Sequence, residues 1–386
     1  MLKAFPFKIQ PNTPMTSTIL DLSPCAPCPR GSISDSYSEL GAKTKPRRHG
    51  EHGVRRCGVG LKFLASLFLF VATASHLQAE PDYDHVVVVM LENHGYAQIL
   101  DCAGATYINK TLRAEGADMT AAYGIQHPSQ PNYYWIFSGS NQGIMTDKAP
   151  RQAFCLTPNL HTALMARAKT FGGYVDAYPG KRKLYKNTTN YAVRHVPWLG
   201  FANIPSGITK PFSSFPTNAK GFASLPDISF VIPGLDHDMH NWNSTGEEVR
   251  NLAQSNIAIK NADAWLKENL DAYYQWAKKN NSLLILTTDE NSTSDWITPP
   301  LKQRDAEGYT SPNLGPNPEG SSGPNQITII FAGAHVIPGP NATRMTNVNV
   351  LRTIESIFDL DSSGDQAPLA TSADINNDAV SDIFLE

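Results

Sequence analysis

The sequence predicts an α/β domain built on a doubly wound, mostly parallel sheet with helices on both faces. Three observations point there. His85-Val86-Val87-Val88-Val89-Met90-Leu91 is an almost unbroken apolar run, the pattern of a strand buried on both faces rather than one. Further short apolar runs recur at Gly173–Ala177, Ile228–Ile232, Leu283–Thr287 and Ile327–Phe331. Between the runs lie segments with apolar residues at helical spacing, and strands alternating with helices give a parallel sheet.

The chain starts differently from the way it continues. Residues 1–53 are rich in Pro, Ser, Lys and Arg without sustained periodicity and read as a disordered or mis-assigned leader. Residues 54–79 have the layout of a secretory signal: Arg55-Arg56 and Lys62, the apolar run Phe63–Ala74, then Leu77-Gln78-Ala79. That run is short for a membrane span, so a secreted or periplasmic protein without a stable span is expected, with residues 80–386 as a single catalytic domain. Cys25, Cys28 and Cys57 fall in the part expected to be removed, leaving Cys102 and Cys155. In an oxidising compartment those two are expected to pair, closing a loop worth ~3–4 kcal/mol on the chain-entropy model.

Along the mature part, helices are expected at Tyr107–Glu115 with Gly116 as a stop, from Asn132 to Ser138, at His161–Lys169, at Val249–Lys279 and at Asn349–Phe358. Tyr185–Ser224 and Asp295–Pro324 are long, polar and rich in Pro and Gly, which suits functional covers. Asp361–Asp382 has many Asp, Asn and Ser but no complete calcium-loop pattern, and reads as solvated turns. The chain is 41% hydrophobic and 17% charged with a net charge of −3. No dense Lys/Arg stripe runs through it, so no nucleic-acid surface is expected.

Four polar clusters follow predicted element ends. Glu92-Asn93-His94 ends the Val-rich strand, where open α/β sheets place ligands; its oxygen donors suit a hard metal ion, although a plain polar loop has the same composition. His127-Pro128-Ser129-Gln130-Pro131-Asn132 places Ser129 near a helix start, where free N–H groups favour an anion; a simple N-cap is the alternative. Asp236-His237-Asp238-Met239-His240 follows Ile228–Ile232 and carries acid/base and ligand types. Thr288-Asp289-Glu290 follows Leu283–Thr287, and adjacent carboxylates at a strand end repel unless a cation sits between them. A solvated turn remains open for each of the last two.

With those motifs in order, the chain resembles the phosphoesterase family of secreted acid phosphatases and non-haemolytic phospholipases C, in the alkaline phosphatase-like superfamily. The resemblance runs from about Asp84 to Phe384. It rests on Glu92-Asn93-His94, on His127-Pro128-Ser129-x-Pro131-Asn132-Tyr133 with Ser138-Gly139, on Asp238-Met239-His240 and on Thr288-Asp289-Glu290. Asn325-Gln326-Ile327, Val336-x-Pro338-Gly339 and Asn349-Val350-Leu351-Arg352-Thr353-Ile354-Glu355 add to it. The resemblance implies a divalent metal of unspecified identity held by Glu92, Asn93, Asp289 and Glu290, with Ser129 as a further ligand and as the nucleophile forming a phosphoserine. It implies that His127, Asp238 and His240 contact phosphoryl oxygens or protonate the leaving oxygen, and that His195, in Arg194-His195-x-Pro197, lies near the substrate.

The chain departs from the pattern with Asn347 where relatives often carry His, Asn241 where they often carry Asp, and Thr288 where Trp is usual. The expected activity is a metal-dependent phosphomonoesterase of acid phosphatase type acting on a small phosphate ester. A phosphodiesterase or phospholipase C acting on phospholipid head groups, or an inactive binding module, is the alternative. Oligomeric state is left open.

Overall fold

The computed structural model describes residues 81–292, 325–364 and 378–385. The chain divides into two units, Met1–Leu77 and Gln78–Glu386. The first unit lies outside the described residues, as do the predicted signal segment and the Asp295–Pro324 loop.

Ten strands occur among the described residues: β1 (His85–Leu91), β2 (Ala117–Met119), β3 (Ala122–Tyr123), β4 (Phe171–Val175), β5 (Thr209–Pro211), β6 (Ile228–Ile232), β7 (Ser282–Thr288), β8 (Ile329–Gly333), β9 (Gly339–Asn341) and β10 (Met345–Thr346). Eight form one sheet in the order β5-β4-β6-β1-β7-β8-β2-β9, while β3 and β10 form a small separate ladder. The pairs β4–β5, β4–β6, β1–β6, β1–β7 and β2–β9 are parallel; only β8 runs antiparallel, to both β7 and β2. This is the doubly wound, mostly parallel α/β sheet expected.

The helices are α1 (Tyr96–Asp101), α2 (Arg113–Glu115), α3 (Ser129–Ser138), α4 (Leu160–Ala166), α5 (Ala219–Phe222), α6 (Leu252–Ala277) and α7 (Asn347–Ile357). Strand β1 explains why both faces must be covered. Val86, Val88 and Met90 enter one apolar cluster with α3, α4 and α7 residues, whereas Val87, Val89 and Leu91 enter another dominated by α6. Successive side chains of a strand point to opposite faces, so a run apolar at every position needs two layers. The α3 face carries an aromatic group in which Phe137, Phe171, Trp198 and Phe230 meet edge-on or tilted at 5.4–6.3 Å between ring centres. Gly173 on β4 is required there: a Cβ at that position would lie 2.3 Å from the Trp198 ring.

Helix boundaries moved where capping decides them. The long helix begins at Leu252 rather than Val249 because the Asn251 side chain accepts from Gln254 N–H at 3.0 Å. Helix α4 stops at Ala166 rather than Lys169, since Ala168 is left-handed (φ 55°) and Lys169 N–H turns back to the Leu164 carbonyl. Tyr107–Glu115 is partly π-helical, over Ile108–Leu112; Asp263 of α6 accepts from the Tyr107 and Ile108 N–H groups at 3.0 and 2.8 Å.

The expected Cys102–Cys155 disulfide does not form: both are free, buried thiols. Cys102 belongs to the α6-side cluster and Cys155 to the α3-side cluster, so the sheet stands between them. Bridging needs Cα atoms within about 7 Å.

Candidate active site

The four polar clusters converge because of strand order. β6, β1 and β7 are neighbours and parallel, so the residues after each emerge at one edge of the sheet. Glu92 N–H donates to the Asp238 carbonyl (2.7 Å) and Asp289 N–H to the Leu91 carbonyl (3.1 Å), stitching the three strand ends together. Helix α3 brings the fourth cluster. Its N-cap is Pro128, preceded by a cis His127–Pro128 peptide, and Ser129 is its first residue. Ser129 is therefore not the N-cap, and its hydroxyl is directed elsewhere.

That hydroxyl sits between two carboxylates: Ser129 Oγ is 2.8 Å from Glu290 Oε1 and 3.1 Å from Glu92 Oε2. Glu290 also pairs with His127 through Nδ1. Glu92 meets His240 Nδ1 at 3.1 Å and lies 2.8 Å from His195 Nε2, the latter without hydrogen-bond alignment. His195 Nδ1 lies 3.5 Å from Asp238 Oδ2, and Asp238 Oδ1 accepts from His240 N–H at 2.8 Å. Asn93, held in the left-handed region at φ 51°, which Asn tolerates better than most residues, donates its N–H to Asp289 Oδ1 at 2.8 Å. All nine residues singled out in the sequence thus form one connected group. His94 stands apart: its Nε2 lies 2.9 Å from Ser255 Oγ on α6 and its Nδ1 3.2 Å from the Glu92 carbonyl, and burial lowers its pKa to about 4. It anchors the turn.

The site is crowded with buried negative charge. Burial pushes Asp289 well above the ordinary carboxylate range, and the charges of Glu92 and Glu290 add to this. Burial likewise raises Glu290 and Asp238, although His127 and His195 oppose it. Glu92 goes the other way: burial acts upward, but His195 and His240 outweigh it and hold the carboxyl well below its usual value. Burial acts downward on His240, yet Glu248 and Glu92 raise it to about 10.

Asn93 Oδ1, Asp289 Oδ2 and Glu92 Oε1 are buried oxygens with no hydrogen-bond partner. Such atoms are costly unless something satisfies them, and oxygen donors beside like-charged carboxylates fit a hard divalent cation. Among the described residues no three His, Cys, Asp or Glu side chains stand ready-made as a metal group. The fit therefore draws on the Asn93 amide oxygen beside the carboxylates.

Two neighbours stood in the sequence motifs without a role of their own. The Tyr133 ring stacks on His195 at 4.8 Å and 3°. Arg194, held fully charged because Glu92 and Asp147 outweigh its burial, reaches within 3.5 Å of His240 Nε2 and borders a polar cavity of about 320 Å³ with Asn241 and Glu248. Only adjacency to His195 in the sequence hinted at Arg194. The departure Asn347 lies outside the group, accepting from Thr287 Oγ1 at 2.8 Å.

A family model described as the Phosphoesterase family matches residues 103–361. The phosphatidylinositol-3-phosphatase of Mycobacterium tuberculosis (strain ATCC 25618 / H37Rv) is 36% identical over 286 residues, covering 74% of this chain and 80% of that protein. An acid phosphatase of Aspergillus fumigatus is 27% identical over 53% of this chain and 44% of its own length. A phosphate-repressible acid phosphatase of Penicillium chrysogenum is 26% identical over 55% and 49%. The chain thus spans about half the length of those fungal relatives. Among solved structures, a protein in the alkaline phosphatase superfamily from Vibrio parahaemolyticus superposes with a TM-score of 0.45 at 13% identity, covering 76% of this chain and 69% of that one. The α/β class stands on the sheet itself. With a family model matched over most of its length and a relative more than one-third identical over three-quarters of it, the chain belongs to the Phosphoesterase family and is a hydrolase acting on phosphoric esters.

Proposed function

We propose that the chain is a metal-dependent phosphomonoesterase in which Ser129 attacks phosphorus and carries the phosphoryl group as a phosphoserine. The observation that carries the reading is the Ser129 hydroxyl held 2.8 and 3.1 Å from two buried carboxylates at the first turn of a ten-residue helix. Either carboxylate can take the hydroxyl proton as Oγ attacks. Glu92, Asn93, Asp289 and Glu290, with Ser129, would hold a divalent ion, which supplies charge neutralisation and lowers the pKa of the serine hydroxyl. His240, charged near neutrality and backed by Glu248, would protonate the leaving oxygen. Glu92 and Asp238 lie beside His195, and His195 and His127 would contact the phosphoryl oxygens. Water then cleaves the phosphoserine, and Ser129 recovers its proton.

A phosphoinositide monoester is the second reading for the substrate, supported by the name of the mycobacterial relative, which the chain covers over 80% of its length. A diesterase has no such support. Export of the mature domain belongs to the proposal on the signal-like segment; no helix among the described residues is long and apolar enough to cross a membrane.

Ser129→Ala tests the mechanism. Turnover of a soluble monoester is expected to vanish while the rise in melting temperature on adding divalent metal survives in large part. Near-normal turnover rejects Ser129 as nucleophile. Full activity after exhaustive chelation, verified by metal analysis, removes the ion from the scheme.

A further inference from the structure

Beside the nucleophile helix the surface changes character. Met145, Phe154 and Leu156 are large apolar side chains exposed to 37, 41 and 61%. Met145 and Phe154 border a cavity of about 570 Å³ with Gln130, Ile144, Lys148 and Arg151. The cavity adjoins Ser129 through its neighbour: Gln130 N–H donates to Asp147 Oδ1 at 2.8 Å.

A second segment joins this face. Tyr185 Oη donates to the Leu199 carbonyl at 2.8 Å, while the Phe154 and Cys155 N–H groups donate to the next carbonyl, Gly200, at 2.8 and 3.0 Å. Around Tyr185 stand Lys181, Arg182, Lys183 and Lys186, all exposed. Together with Lys148 and Arg151 they make six cations. Residues 140–158 and 178–189 contain one acid, Asp147, in a chain whose net charge is −3. The balanced whole-chain composition conceals this local concentration. Among the described residues none of the six side chains enters a hydrogen bond or ion pair.

Exposed aliphatic and aromatic side chains on segments carrying exposed cations fit one kind of partner. A nucleic acid or acidic protein would use the cations but gives Leu156 and Met145 nothing to enter, whereas a bilayer with anionic head groups uses both. We propose that this face is an interfacial docking surface for an anionic lipid bilayer, seating Phe154, Leu156 and Met145 among the head groups beside the Ser129 site. The proposal does not depend on the chemistry assigned to Ser129, and Ser129→Ala is expected to dock as the unaltered chain does.

The test is sedimentation of the full chain with vesicles of phosphatidylcholine alone or with added phosphatidylserine. Because the Phe63–Ala74 run can itself take up lipid, the readout is the difference between unaltered and variant chains. Lys181→Ala/Arg182→Ala/Lys183→Ala is expected to bind phosphatidylserine vesicles roughly a hundredfold more weakly, at about fivefold per charge. Leu156→Asp is expected to lose roughly tenfold or more. Both are expected to keep their melting temperature and their turnover of a soluble monoester. Equal binding to the two lipid mixtures, or unchanged binding by both variants, overturns the proposal. So does strong binding to heparin with Leu156→Asp sedimenting like the unaltered chain, which marks the face as a polyanion site instead.

Discussion

Replacing Asp289 by Asn offers a test in which opposite signs are expected from one substitution. Asp289 is fully buried, one of its oxygens has no partner, and Glu92 and Glu290 press like charge on it. Without metal, its carboxyl is held well above the ordinary range, so the folded protein binds a proton there more tightly than the unfolded chain. The sign follows from proton linkage: the group's contribution is fully present below the unfolded carboxylate pKa, near 4, and is lost as pH rises through the folded value. Above that window the metal-free protein carries an uncompensated buried charge. Asparagine keeps the acceptor for Asn93 N–H and removes the charge. An unsatisfied buried group costs about 1–3 kcal/mol, and each kcal/mol moves the melting point by about 2–4 °C in a domain near this size. The metal-stripped Asp289→Asn chain is thus expected to melt roughly 2–12 °C above the unaltered one at neutral pH, with a flatter pH dependence. On adding divalent metal the order is expected to shrink or reverse, because a ligand has lost its charge. Near-ultraviolet circular dichroism melts, in chelator and in metal across pH, read both effects. A variant that melts below the parent without metal, with the same pH slope and the same metal-induced rise, refutes the picture of a charge-strained cation site.

Two further outcomes concern the scaffold. Gly173→Ala is expected to lower stability by about 1–3 kcal/mol in urea unfolding, because the new methyl meets the Trp198 ring at 2.3 Å; an unchanged midpoint would mean that the aromatic group gives way easily. Alkylation of the denatured chain without reductant, followed by peptide mass mapping, is expected to label Cys102 and Cys155 fully; protection of both would restore the bridge that the sheet stands against.

The central strand and the residues around Ser129 were legible because they obey local rules. Val86 to Leu91 has one periodicity that suits a doubly covered strand, and parallel neighbours deliver their following residues to one edge. What escaped depends on distant partners. β2, β5 and β9 have three residues each, too few for a period to show. Helix α3 starts at Ser129 rather than Asn132, and the Asn132 side chain turns back to accept from Ile125 and Gln126 N–H at 3.3 and 3.0 Å, a use that its position in the sequence does not announce. Tyr133 and Arg194 owe their places to packing on His195 and His240. The disulfide inference failed for a related reason: compartment and count say nothing about which side of a sheet each thiol occupies.

The loop bearing Glu92 is fastened twice, from opposite layers. Ser129 of α3 reaches its carboxylate from one face, and Ser255 of α6 holds His94 from the other. The reactive centre therefore behaves as a keystone between two walls. Neither wall can loosen without slackening the same few residues, so loss of turnover on heating reports whichever helical layer yields first, and hardening the other one alone leaves the enzyme as heat-sensitive as before.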